Sequence, residues 1–237
     1  MTQEDINKAN KLIKEAIIKR EELLTLIDSK GEQYFKSEAP PVLWFGNLES
    51  TKEKIVVISA NPNNPQKYLN SANIEEYNAY FSFSNKHNMK WFGGIEAFLN
   101  GLDASFFDKE CKYQAIHIDL LPFATKKHFK KIADNLMAIE ELPEWIDKHI
   151  RELINIINPK LIIINGKTNF KYFNQCVNLG AQPYKVSNYS VENKSEITIW
   201  KSCNKPLIAT SVNLGNNIYS YSDLQSVAEK LKWKLNF

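Results

Sequence analysis

Apolar residues recur at helical spacing from about Glu4 to Ser29, through Ile6, Ala9, Leu12, Ile13, Ala16, Ile17, Leu23, Leu24 and Ile27, with Lys and Glu on the opposite face. That spacing predicts an amphipathic helix packed on the domain. The pattern then changes. Lys54 to Ala60 is a β-branched apolar run with no polar alternation, and Lys160 to Gly166 (Lys-Leu-Ile-Ile-Ile-Asn-Gly) repeats it. Such runs suit strands covered on both faces, the habit of parallel sheets. Tyr113 to Leu121 and Pro206 to Ser211 read as two more strands, the first ending at Pro122.

Helical periodicity fills the intervals. Trp91 to Leu102, Ile132 to Ile157 with a break around Pro143, Lys167 to Val177, and a closing helix from Asp223 to about Lys232 are predicted helices. Tyr184 to Lys201 alternates like a hairpin, with Glu196 to Trp200 its clearest strand. Asn61 to about Asn88 is polar and Tyr-rich, too long for an ordinary connection and therefore a candidate functional loop. Strands alternating with helices imply an α/β protein. The expected architecture is a three-layer α/β/α sandwich on a central, mainly parallel four-stranded sheet. It forms a single domain over residues 1–237, with a helical extension over 1–30.

Composition narrows the classes. Hydrophobic residues are 43% of the 237 and aromatics 12%, enough to fill a core, which argues against wholesale disorder. The 30 basic and 27 acidic residues nearly cancel to +3, so local clustering matters more than net charge. Cys111, Cys176 and Cys203 are scattered and show neither metal-ligand spacing nor a disulfide framework, which fits a reducing cytosol. The charged amino terminus does not read as a signal peptide, and no apolar run is long enough to span a bilayer. A cytoplasmic protein without membrane contact is expected. With only 8 glycines there is no phosphate-cradling loop, and no His-Glu-x-x-His element or nucleophile elbow occurs. Neither a metal nor an organic cofactor is expected.

The candidate chemistry lies at the strand ends. Pro62 removes a backbone donor and forces a turn, placing the Asn61 carboxamide at the carboxyl end of a buried strand, where open α/β sheets gather ligands. Asp119-Leu-Leu-Pro122-Phe123, Asn165-Gly166-Lys167-Thr168 and Thr210-Ser211-Val-Asn213-Leu214-Gly215 end the other three strands.

In this order the four elements resemble the uracil-DNA glycosylase superfamily, over roughly Pro41 to Leu231. Members commonly carry Gly-x-Asn/Asp-Pro-Gly after the first strand, where this chain has Ser59-Ala60-Asn61-Pro62-Asn63. A loop aromatic and an Asn-Arg-Phe-Trp-like helix start are matched by Phe81-Ser82-Phe83 and Asn88-Met-Lys90-Trp91-Phe92. A base-reading residue, often Asn, is matched by Asp119, and a Gly-Lys/Arg-x-Ala-like turn by Gly166-Lys167-Thr168. The His-Pro-Ser-like last loop, often with an intercalating Leu, is matched by Thr210 to Leu214. Two departures stand out: no Gly follows Pro62, and the last loop holds no His.

The resemblance implies a base flipped into a pocket, stacked on an aromatic and read along its hydrogen-bonding edge. Phe81 or Phe83 would be the platform, or else an apolar lid. Asn61 would orient the attacking water, since an amide is a poor general base, or would simply shape a turn. An ionised Asp119 accepts but cannot donate. Either the base presents adjacent donors, or Asp119 is protonated, or it serves the water. Thr210 and Ser211 would offer neutral hydrogen bonds to the leaving base. His87, in the long loop, is the nearest substitute for the missing His, whereas His117 reads as a packed strand residue. Leu214 would wedge into a duplex or anchor an ordinary loop, and Asn213 and Lys167 would contact the DNA backbone.

Lys126, Lys127, Lys130 and Lys131 form the densest basic group and follow the second strand, so they are candidate phosphate contacts or a solvated helix face. The expected function is a base-excision glycosylase-like hydrolase of DNA repair, with DNA as partner. The alternatives are a non-catalytic nucleic-acid or nucleobase binder of the same fold, and a small-molecule nucleoside-processing enzyme.

Overall fold

Thr2 opens the first helix, α1 (Gln3–Leu24), with a capping box. Its hydroxyl accepts from the Asp5 N–H at 3.2 Å, and the Asp5 carboxylate accepts from the Thr2 N–H at 2.9 Å. The helix stops at Leu24 and does not run on to Ser29. A turn stops it: Ile27 bridges Gln33 across Gly31, which sits at φ +78°, and the Asp28 carboxylate accepts from the Lys30 and Glu32 amides. Ile27 is consequently exposed, not on the buried face.

The computed structural model describes residues 1–62, 74–75, 89–107, 110–177, 184–191, 195–201, 206–210, 214 and 220–235, with the backbone alone at 89–91, 184–191, 195–201, 206–210 and 233–235. Its strands are β1 (Trp44–Phe45), β2 (Lys54–Ser59), β3 (Ala104–Ser105), β4 (Tyr113–Asp119), β5 (Leu161–Ile164), β6 (Tyr184–Val191), β7 (Ser195–Lys201) and β8 (Pro206–Thr210). The remaining helices are α2 (Met89–Gly101), α3 (Phe129–Met137), α4 (Leu142–Ile157), α5 (Lys167–Cys176) and α6 (Tyr221–Leu235).

One sheet runs β1-β4-β2-β5-β8-β7-β6, with β3 also pairing β4. β3, β4, β2, β5 and β8 are parallel, whereas β1, β7 and β6 are antiparallel to their neighbours. The expected strands are the parallel centre β4-β2-β5-β8, but four undercounts the sheet. β1 and β3 are too short to show any alternation, and the β6–β7 hairpin continues the sheet from β8.

The apolar runs of β2 and β5 are buried on both faces. α2 packs on α6, while α4 packs on α1, α3, α5 and β2. These two helical layers enclose the sheet as an α/β/α sandwich. α2 and α6 approach closely because α2 carries glycines there: a Cβ on Gly101 would come within 2.3 Å of the Gln225 carbonyl oxygen. The break at Pro143 falls between α3 and α4, with proline in the first turn of α4, where its missing N–H costs nothing. α3 begins at Phe129, earlier than periodicity predicts, because the His128 side chain caps it through the Lys130 N–H. Among the described residues no helix is long and apolar enough to cross a membrane.

Candidate functional site

The carboxyl ends of β4, β2 and β5 lie side by side; β4 ends in Asp119 and β2 in Ser59, and Asn165 directly follows β5. Ser59 pairs with Asp119 in the parallel register, and the Leu120 and Leu121 amides donate to the Ser59 and Ala60 carbonyls at 2.9 Å. The chains leaving β2 and β4 therefore run together, which carries Asn61 to the segment after Pro122.

Asn61 is half-buried there. Its Nδ2 faces the Phe123 carbonyl at 3.2 Å, the Thr125 hydroxyl at 3.0 Å and the Pro62 carbonyl at 3.3 Å. An amide has two N–H groups, so this cluster of acceptors absorbs its donors and fixes which way it is flipped. Oδ1 is left as the acceptor that Asn61 can offer a ligand. The segment it grips is itself held from behind: Lys36 N–H donates to the Ala124 carbonyl and Lys126 N–H to the Tyr34 carbonyl, both at 2.9 Å.

Asn165 follows β5 and is 0% exposed. Its Nδ2 donates to Ser59 Oγ at 3.2 Å, its Oδ1 accepts from the Leu214 N–H at 2.7 Å, and its backbone carbonyl accepts from Asn169 Nδ2 at 2.6 Å. One side chain thus joins the end of β2 to the last loop. Leu214 is 2% exposed and belongs to the core. The expectation of a duplex-inserting wedge is corrected here: the side chain is packed inside, and it anchors its loop. Its carbonyl lies so close to α2 that a Cβ on Gly94 would come within 1.9 Å of it.

Asp119 and His117 share a face of β4, as residues two apart on a strand do. Both are buried, and His117 Nε2 lies 3.8 Å from Asp119 Oδ1. Burial lowers the His117 pKa to about 3 and raises that of Asp119 well above the carboxylate range. Burial thus disfavours the charged form of each, and at 3.8 Å the two make no hydrogen bond. Aromatics wall the histidine: Phe92 meets it edge-on at 5.2 Å, and Phe45 stacks on Phe92 at 4.6 Å. His117 is the packed strand residue that its alternation implies.

The basic group divides. Lys127 Nζ pairs with Asp28 at 2.8 Å and Glu32 at 2.6 Å, lowering the Asp28 pKa to about 2 and raising its own. Lys126 Nζ donates to Gln33 Oε1 at 3.1 Å. Lys130 and Lys131 stand exposed on the first turn of α3, and Lys167 is exposed at the start of α5, after Gly166 at φ +104°. Phe81, Phe83, His87, Ser211 and Asn213 lie outside the described residues, and Thr210 is described only as the backbone end of β8. Among the described residues no group of three or more His, Cys, Asp or Glu could hold a metal ion.

Sequence reasoning gave Ser59 and Asn165 no role. A signal was present, because a polar residue ending a strand buried on both faces needs an internal partner. The chain matches no model of a known protein family, and no curated protein matches its sequence.

Proposed function

We propose that this chain is a DNA base-excision glycosylase of uracil-DNA-glycosylase type, acting on a deaminated base flipped out of the helix. The observation that carries this reading is the convergence of Asn61, Asp119 and the Asn165–Leu214 clamp on one end of the parallel sheet. In the proposed reaction the bond from the sugar anomeric carbon to the base nitrogen breaks, and its electron pair leaves with the base. Asn61 Oδ1, oriented by its donors' partners, holds the water whose oxygen forms the new bond to that carbon, and the water proton passes to solvent or the departing base. Lys130, Lys131 and Lys167 supply salt-sensitive phosphate contacts.

A second reading, a nucleobase or nucleoside pocket without DNA, is favoured by one observation. Lys127 is neutralised by Asp28 and Glu32, which thins the basic rim. Labelled duplex and single-stranded DNA carrying uracil, hypoxanthine or xanthine, treated with the protein and then with alkali, separates the two. Strand cleavage at the modified base supports the glycosylase. Intact DNA with no salt-dependent binding supports the nucleoside pocket.

A further inference from the structure

The segment that grips Asn61 is framed by residues that precede the first strand. Phe35 bridges Thr125 in antiparallel fashion, with the Lys36 N–H on the Ala124 carbonyl and the Lys126 N–H on the Tyr34 carbonyl, both at 2.9 Å. Just before this short ladder comes the turn at 28–32. Its Asp28 carboxylate has two tasks. Oδ1 accepts from the Lys30 and Glu32 N–H groups at 2.8 and 3.0 Å, and Oδ2 accepts from Lys127 Nζ at 2.8 Å. Glu32 binds the same ammonium at 2.6 Å. The Asp28 side chain is 13% exposed, which shelters the contact from the water that weakens surface ion pairs. The backbone carbonyl of Lys127 accepts from Thr125 Oγ1 at 2.7 Å, and Thr125 Oγ1 accepts from Asn61 Nδ2 at 3.0 Å.

We infer that the turn at 28–32 is a positioning element for Asn61, with Asp28 and Glu32 acting through Lys127 and Thr125 to fix the direction of Oδ1, a role that rests on the glycosylase-type reading of the site. Residues 120–128 belong to no strand or helix, so regular secondary structure does not dictate where the Lys127 carbonyl points. The Phe35 bridge and the paired carboxylates hold that stretch instead. A hydroxyl has one proton. With it committed to the Lys127 carbonyl, Thr125 Oγ1 meets Asn61 as an acceptor, so the amide turns its N–H group there and its Oδ1 away. The two acids precede the stretch from Pro41 that carries the family resemblance, so the device belongs to this chain and is not implied by the likeness. Two carboxylates on one ammonium also suit a tether better than a phosphate contact.

Asp28→Asn combined with Glu32→Gln, made in the full chain, separates positioning from plain structural support because two readouts diverge. Removing two negative charges should leave binding to a uracil-containing duplex as tight as wild type or tighter, while single-turnover uracil release from the bound complex slows about 10-fold. Lys127→Met should slow release likewise, and Lys127→Arg, which keeps the charge, should restore most of it. On an Asn61→Ala background the paired acid substitutions should change the rate less than about twofold, because no oriented amide is left. Nitrogen-15 spectra add a readout independent of activity. The Asn61 side-chain NH2 signals, assigned with Asn61→Ala, should shift in the double variant while the β2 and β5 backbone amides stay put. Should the double variant lose its fold, Asp28→Asn alone and Lys127→Met carry the same readouts. Release at the wild-type rate, a 10-fold loss that persists on the Asn61→Ala background, or unmoved Asn61 NH2 signals overturns the inference. Failure of the glycosylase reading looks different: the Asn61 NH2 signals still respond to the acid substitutions, and no base leaves the DNA with any form of the protein.

Discussion

Asn61 and Thr125 form the link that turns a strand end into a site. Asn61 Nδ2 donates to Thr125 Oγ1 at 3.0 Å, and that hydroxyl donates onward to the Lys127 carbonyl at 2.7 Å. The amide is oriented by a chain of hydrogen bonds whose far end lies in the loop after β4, so Oδ1 is presented in a fixed direction.

Asn61→Ala should therefore cost little stability, about 1 kcal/mol for partly solvated partners, and much activity, about 100-fold in base release for lost positioning. Thr125→Val should fall between wild type and Asn61→Ala, because Oδ1 survives but loses one of its guides. Thermal unfolding and single-turnover release measured on the same preparations check both.

The Asn165 clamp predicts the reverse balance. Asn165→Leu leaves the Leu214 N–H without its acceptor and Ser59 Oγ without its donor. The cost should be about 1–3 kcal/mol for each orphaned buried group. Amide exchange should locate the damage, with the Leu214 N–H losing protection while the β2 and β4 amides keep theirs.

Gly94→Ala probes the same loop from the other side. A methyl group there meets the Leu214 backbone carbonyl, which no rotamer change can relieve. Destabilisation of about 1–3 kcal/mol is expected, together with Leu214 amide exchange faster than in wild type. Wild-type stability and exchange would show that α2 and this loop are not in contact.

Stability should fall as pH drops below 6.5, and the sign follows from the buried groups. Burial lowers the pKa of His117 and His149 to about 3, so between that value and 6.5 the unfolded chain binds more protons, and stability falls as pH falls. Asp119 acts oppositely. Its folded pKa is raised, so above 3.8 the folded chain holds a proton that the unfolded chain has lost, and stability falls as pH rises. From 3.8 to 6.5 the two histidines outweigh the one carboxyl. Each uncompensated proton is worth about 1.4 kcal/mol per pH unit. Denaturant unfolding from pH 4 to 6.5 should show this fall, and Asp119→Asn should steepen it by removing the opposing contribution. His149→Phe should flatten the acid side, its ring retaining the stack on Trp145 at 4.7 Å.

The parallel centre was legible because β2 and β5 are unbroken runs of Ile, Val and Leu, a pattern that sets face burial without distant information. α1 was legible by period but not in length, since Asp28 and Gly31 stop it through a turn that helical periodicity does not encode. The site was legible as a set of strand ends and no further. That Asn61 is steered by Thr125, or that Asn165 reaches both Ser59 and Leu214, depends on which strands neighbour which, and β5 pairs with β2 across more than a hundred residues of chain. Leu214 shows the limit most plainly: an exposed wedge and a buried anchor have the same sequence, and only the close approach of Gly94 distinguishes them.

Release of free uracil from a uracil-containing duplex, followed under single-turnover conditions with wild type, Asn61→Ala and Asp119→Leu, tests the assignment most directly. A glycosylase built on this site releases uracil, leaves an alkali-labile abasic site, and loses roughly 100-fold in rate in both variants. Intact DNA after prolonged incubation with folded wild-type protein, or release that both substitutions leave unchanged, contradicts it.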